Sequence, residues 1–291
     1  MNKTLHKIYV GSFFVVGITV LILLAINGYE YYNTSLEERF FNPQHNSLKP
    51  SGTLGHGIGI IGTLMMIVGV AVYMIRKRVR GLFNFGYLKH WLEFHIFLCT
   101  VGPVLILYHT AFKFGGLVSI SFWSMVLVVL SGVVGRFIYV QIPRTIQGQE
   151  LSNQDLNEIR ERHAMKVRSV LSEDTMTLSE FEKVASPNRY KKFRLTSLVG
   201  FGFKDYFDIK RVLKLLKKRI KYLQLTTEEG KEIIKAAKSE IVISRRIGLL
   251  TTFHKLFHYW HVAHLPFAIA MFVIMIIHVG VTLIFGYKWI F

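Results

Sequence analysis

A single cysteine, Cys99, occurs among 291 residues. That excludes an intrachain disulfide, a cysteine-held iron–sulfur cluster and the CxxCH attachment of a c-type haem. Any haem in this chain is held without a covalent link, by His or Met. Nucleotide-binding loops are also lacking. There is no Walker loop and no GxGxxG, and Gly200-Phe201-Gly202-Phe203 lacks both the third glycine and a strand-to-helix setting. No flavin or nucleotide domain is expected. Acidic residues are few, 18 Asp and Glu against 36 Lys and Arg, which leaves a net charge of +18. Nucleic acid is one partner for such a charge, but 51% of the residues are hydrophobic and they fall in long runs. Membrane spans flanked by basic segments fit that combination, and nucleic acid is not expected as a partner.

Five runs are apolar enough to cross a bilayer, which takes about 20 residues. They lie near Ile8–Ile26, Leu54–Ile75, Leu88–His109, Val118–Val140 and His261–Phe285. The first is longer than the apolar core of a signal peptide, and Ala25-Ile26-Asn27 is a poor cleavage site, so a retained helix is expected. Basic residues gather in alternate connections: Arg76-Lys77-Arg78-Val79-Arg80, then Arg136 and Arg144, then Arg245, Arg246 and Lys255. The positive-inside rule puts the N-terminus in the cytoplasm and the C-terminus outside. The chain then reads as an all-α integral membrane bundle: residues 1–140 form spans one to four, 141–250 a basic helical cytoplasmic insertion, and 251–291 span five, which completes the bundle.

Within the insertion, Ser152 with Asp155, Ser179 with Glu182 and Thr226 with Glu229 have the spacing of helix N-terminal caps. Tyr206–Leu223 reads as an amphipathic helix. Ile209, Val212, Leu213, Leu216 and Ile220 share one face, with Lys210, Lys214, Lys217, Lys218 and Lys221 around the other. Three roles remain open for it: a wall of the insertion's own core, a helix lying on anionic lipid, or a docking face for an acidic electron-transfer partner.

Several of the 12 histidines fall inside spans. Ionisable side chains there are costly and mark function. His95 and His109 stand 14 residues apart on span three, and His264 and His278 stand 14 apart on span five. That interval is about 21 Å of helix and nearly a whole number of turns. Each helix thus points two imidazoles one way, one toward each membrane face. Both spans are odd-numbered and run parallel, so His95 matches His264 in depth on the inner side, and His109 matches His278 on the outer side. Each pair can supply both axial ligands of one haem iron. Hydrogen-bonded polar contact between helices is the plainer role for any one of these histidines, but it leaves the matched spacing unexplained.

Gly55, Gly59, Gly62 and Gly69 form one face of span two, and Gly102 lies midway between His95 and His109. Two roles stand open for them: room for a flat macrocycle, or close helix contact. His56 is a candidate for a quinol site, for the outer haem, or for plain contact with interfacial water. Lys89, His90 and Arg136 are candidates for the propionates of the inner haem, with Arg144 a weaker one. His261, one turn from His264, is the rival ligand. His254, His258 and His261 could also carry protons to an inner quinone. Trp91, Trp260 and Trp289 sit at span ends, as in an aromatic belt. Pro103 and Pro266 are expected to kink their helices.

With its two histidine pairs on two parallel helices, His95 and His109 on one and His264 and His278 on the other, the chain resembles the membrane di-haem cytochromes b. Respiratory cytochromes b and the transmembrane part of ferric reductases and NADPH oxidases share this arrangement. The resemblance covers the spans and not the insertion. It implies that these four histidines are the axial ligands of two low-spin, non-covalent b-type haems. The flavin and nicotinamide domain that ferric reductases carry after their last span has no counterpart before Phe291. The expected activity is transmembrane electron transfer as a subunit of a membrane redox complex, with a quinone as a further cofactor, in a bacterial inner membrane. Other subunits, an electron donor and acceptor, and anionic lipid are the expected partners. Two other classes remain: a haem-free transporter or proton channel that uses histidine relays, and a structural subunit without a cofactor. A transporter would be expected to carry intramembrane carboxylates, and Glu93 is the one clear case.

Overall fold

The computed structural model describes residues 3–82, 85–116, 118–144, 150–191 and 198–285. Among them the chain is all helical, with one isolated bridge between Arg144 and Glu150. Trp289 lies outside the described residues. Five helices are long and apolar enough to cross a membrane, which marks a membrane protein. The chain divides into two compact units, Met1–Arg136 with Tyr259–Phe291, and Phe137–His258.

The first unit begins with α1 (Lys3–Asn33), followed by the single turn α2 (His45–Leu48), then α3 (Thr53–Arg78), α4 (Leu88–His109) and α5 (Val118–Gln141), which runs to the boundary and beyond. α1 is apolar on all sides and leaves Ile8, Phe14, Val15 and Ile26 exposed, as a lipid-facing helix does. It packs alongside α4 in the same direction: Phe13 stacks on Phe97, Gly17 meets Val101, and the Tyr32 hydroxyl donates to the Tyr108 carbonyl. α3 runs antiparallel to α4, with Gly69 against Leu98 and Cys99, and Gly62 against Gly102 and Leu105. Pro103 and Pro266 both lie inside unbroken helices.

Arg39, in the connection after α1, is buried. Its guanidinium donates to the carbonyls of Thr34, Tyr32 and Ala111 and lies over the Tyr31 ring. These bonds pin the turn just past His109, where Ala111 and Phe112 have φ of 49° and 59°. Left-handed backbone at non-glycine residues persists only where its surroundings over-determine it. Each hydrogen bond to a charged group contributes about 1.5–3 kcal/mol. Arg39→Met should therefore lower the thermal unfolding midpoint of the detergent-solubilised chain, with a loss of at least about 2 kcal/mol. An unchanged midpoint would show that the turn holds without it.

The second unit contains α6 (Asn153–Leu171), α7 (Thr175–Val184), the short α8 (Asn188–Lys191), α9 (Leu198–Tyr222) and the first part of α10 (Thr227–Ile284). Its core joins Val167 and Leu171 of α6, Phe181 and Val184 of α7, Val212 and Leu216 of α9, and Ile233, Ala237 and Ile241 of α10. The apolar face of α9 is thus taken up by the unit's own core, with Ile209, Leu213 and Ile220 at its edge. Its lysines remain outside. Ser152 and Asp155 form a reciprocal capping box at the start of α6, and Thr226 with Glu229 does the same for α10. Ser179 is different, because it sits inside α7, whose cap is Asp174 accepting from the Thr177 N–H. A Ser-x-x-Glu spacing arises within helices as readily as at their starts.

At 58 residues α10 has far more than the about 20 residues that cross a bilayer, and its apolar stretch lies in its C-terminal part. Glu240 belongs to the other part. It is buried, its Oε2 has no partner among the described residues, and the Ser244 Oγ one turn on is in the same condition. Burial pushes the Glu240 carboxyl up to about 7, Glu161 and Glu182 add to this, and Arg168 and Arg160 oppose it. The folded unit therefore keeps a proton that the unfolded chain gives up near 4.5. Stability from this group is full below that value and is lost as pH rises through about 7. Thermal melts between pH 5 and pH 8 should show the wild type weakening with rising pH, with the slope reduced in Glu240→Gln. Equal slopes in the two proteins would contradict this.

Candidate functional site

α4 presents His95 and His109 toward α3 and α10, and both imidazoles are half-buried. His95 Nδ1 lies 3.0 Å from the Gly69 carbonyl oxygen, and His109 Nδ1 lies 2.8 Å from that of Gly55. A carbonyl only accepts, so in each ring Nδ1 carries the proton and Nε2 keeps its lone pair. The bond is possible because α3 has no side chain in the way. A Cβ on Gly59 would sit 2.6 Å from His109 Nδ1, and one on Gly62 would sit 2.8 Å from the Gly102 carbonyl oxygen. Gly59, Gly62 and Gly102 therefore bring the two backbones close enough for α3 to hold the imidazoles of α4. At Gly62 and Gly102 the space is filled by helix contact.

On the other side, α5 does for His264 what α3 does for His95. The Ser131 Oγ lies 2.9 Å from the Val128 carbonyl oxygen, and His264 Nδ1 lies 2.6 Å from the same Oγ. Either Oγ or Nδ1 can donate in this contact, which holds the His264 ring through Nδ1. Trp260 locks the arrangement. Its Nε1 donates to the Ser131 carbonyl at 2.7 Å, its ring centroid is 4.9 Å from that of His264, and its indole fills the space beside Gly135. Ser131 and Trp260 are the residues that sequence reasoning under-read. Their only signals were a small polar residue at helical spacing and an aromatic one turn before His264.

His264 is an electrostatic neighbour of His95, and His278 of His109. The histidines thus fall in two groups, one around His95 and His264 and one around His109 and His278. Between the levels lies a layer of Met66, Phe122, Met125, Met271 and Met275. Met271 is seven residues from His264 and seven from His278. The layer is tied across by the Ser121 hydroxyl, which donates to the Met271 carbonyl.

The remaining candidates fall in several places. His56 joins the group of His109 and His278, its ring 6.3 Å from that of His109 and within electrostatic reach of His278. His261 is exposed, with its ring against Trp260. Arg136 is half-buried on α5 beside Gly135. Lys89 and His90 gather with His6 and Glu93 at the start of α4. In the second unit, Arg144 pairs with Glu150 at 2.6 Å, and the other oxygen of Glu150 lies 3.5 Å from His254.

The donor set suits haem iron. His95 and His109 have their Nδ1–H engaged and Nε2 available, the usual state of a metal-bound histidine, and His264 is held through Nδ1 as well. No carboxylate approaches these four histidines in the contacts above, which weighs against a compact zinc site. Comparison with family models, with curated proteins and with solved structures finds no match to this chain.

Proposed function

We propose that this protein carries electrons across a membrane through two b-type haems, as the cytochrome b subunit of a membrane redox complex. One observation carries the reading: His95, His109 and His264, on α4 and on the C-terminal part of α10, are held through Nδ1 by neighbouring helices. In this reading His95 and His264 hold the inner haem, and His109 and His278 hold the outer one. Each haem, when bound, supplies a one-electron couple.

The chain's own residues orient and tune. The Gly69 and Gly55 carbonyls fix the tautomer and raise the basicity of His95 and His109, and the Ser131 hydroxyl orients the His264 ring. The methionine and phenylalanine layer keeps the space between the two levels dry and apolar. Arg39 holds the turn beyond His109. In this reading His56, whose ring lies 6.3 Å from that of His109, would contact a quinone at the outer level.

The finer architecture follows from the same reading. The spans form a helical bundle in a bacterial inner membrane, N-terminus inside, and residues 141–250 form a cytoplasmic insertion. Lys210, Lys214, Lys217 and Lys218 on α9 are exposed and suit an acidic electron-transfer partner. The activity is tested in sealed vesicles reconstituted with the haem-loaded protein and filled with ferricyanide. Dithionite added outside should reduce the trapped ferricyanide far faster than in protein-free vesicles. A rate equal to that of empty vesicles would overturn the proposal.

A further inference from the structure

Three metal-ligand side chains converge where α1 and α4 begin. His6 lies in the first turn of α1, His90 in the first turn of α4, and Glu93 one turn further on. One donor atom from each lies within 4.8 Å of the other two. His6 Nε2 is 3.6 Å from Glu93 Oε1, His90 Nδ1 is 3.2 Å from Glu93 Oε2, and the two imidazole centroids are 4.9 Å apart. All three residues are half-buried.

A cation already stands at this point. The Lys89 ammonium lies 3.2 Å from His6 Nε2 and 3.7 Å from Glu93 Oε1. An ammonium only donates, so His6 turns the lone pair of Nε2 toward the shared position. The other nitrogen of that ring, Nδ1, is buried without a hydrogen-bond partner among the described residues. The group is thus hydrogen-bonded between His90 Nδ1 and Glu93, where a metal ion would displace the proton, and leaves His6 Nδ1 without a partner among the described residues. It is an open set of two imidazoles and a carboxylate around a positive charge. Lys89 is 53% exposed, so its side chain can leave.

We propose that His6, His90 and Glu93 form a binding site for a divalent transition-metal ion, which clips α1 to α4 one turn before His95. Two imidazoles and one carboxylate with a position left for water are a ligand set for Zn2+ or Fe2+. Mg2+ and Ca2+ prefer oxygen ligands and are rejected. Such a clip fixes the helix that carries His95 at its inner end. The site is independent of the haem reading, since it uses none of the four histidines assigned to haem.

The test uses the full chain in detergent, purified without a histidine tag, with zinc and iron counted separately by elemental analysis and Zn2+ affinity measured by calorimetry. Wild type should bind one Zn2+ that excess Mg2+ does not displace. Loss of an outer-shell partner alone weakens metal sites about 10–100-fold, so His6→Ala and Glu93→Gln should each weaken this binding by at least about tenfold. Lys89→Met should strengthen it, because the competing ammonium is gone, which a purely structural cluster would not do. Zinc bound equally by wild type, His6→Ala and Glu93→Gln would overturn the site, as would displacement by Mg2+ or no binding by wild type or Lys89→Met. The site stands or falls on zinc and the haem reading on haem, so failure of one is told apart from failure of the other.

Discussion

His109→Ala and His278→Ala should each leave one b-type haem per chain, and the same haem should survive in both. Neither variant retains a second imidazole at the outer level in the right place, and a haem held by no covalent link depends on both axial ligands. His95→Ala and His264→Ala should remove the other haem. The pairing rests on which histidines lie within electrostatic reach of each other, His264 of His95 and His278 of His109. Reduced-minus-oxidised spectra of the four variants, with redox titration, distinguish the haems by potential. If His109→Ala and His278→Ala removed different haems, the pairing by level would be wrong. If His109→Ala kept both haems, His56 would be the outer ligand instead, since its ring lies 6.3 Å from that of His109.

A single methyl-sized change on α4 should be nearly as damaging without touching a ligand. A Cβ on Gly102 would stand 2.8 Å from the Gly62 carbonyl oxygen and 2.9 Å from Met66. The methionine can move, but the backbone of α3 cannot without the helices parting. Gly102→Val should therefore separate α3 from α4, at a cost of about 1–3 kcal/mol. Because α3 provides the acceptors for both His95 and His109, the same separation should loosen both haems at once. Gly17→Ala is the contrast, since its Cβ would meet Val101 at an ordinary 3.6 Å. Haem content and thermal midpoint should fall in Gly102→Val and stay near wild type in Gly17→Ala. Full haem content in Gly102→Val would mean that the close contact is not what positions the imidazoles.

Much of this was legible in the sequence because the membrane imposes simple rules. Runs of apolar residues at Ile8–Ile26 and His261–Phe285 admit little but helices long enough to cross. The 14-residue intervals turn on helix periodicity alone, which is why His95, His109, His264 and His278 could be singled out. What periodicity does not carry is partner choice. Gly62 and Gly102 fit a macrocycle or a helix equally well until the opposing backbone is known. Lys89 and His90 read as anchors or propionate partners because His6, more than 80 residues away, gave no sign that it would meet them. Nothing in the sequence marks Arg39, because Ala111, one of its three acceptors, lies 72 residues away and meets it only through tertiary packing. The capping pairs show the same boundary: Ser152 and Thr226 cap helices, while Ser179 has the spacing and lies inside one.

The central claim is that the two histidine groups hold two haems, and a pyridine haemochrome assay on the purified full chain tests it most directly. The expected result is b-type haem at two per chain, lost in halves by the four histidine variants. Protein that binds no b-type haem, when produced with haem supplied, would contradict it.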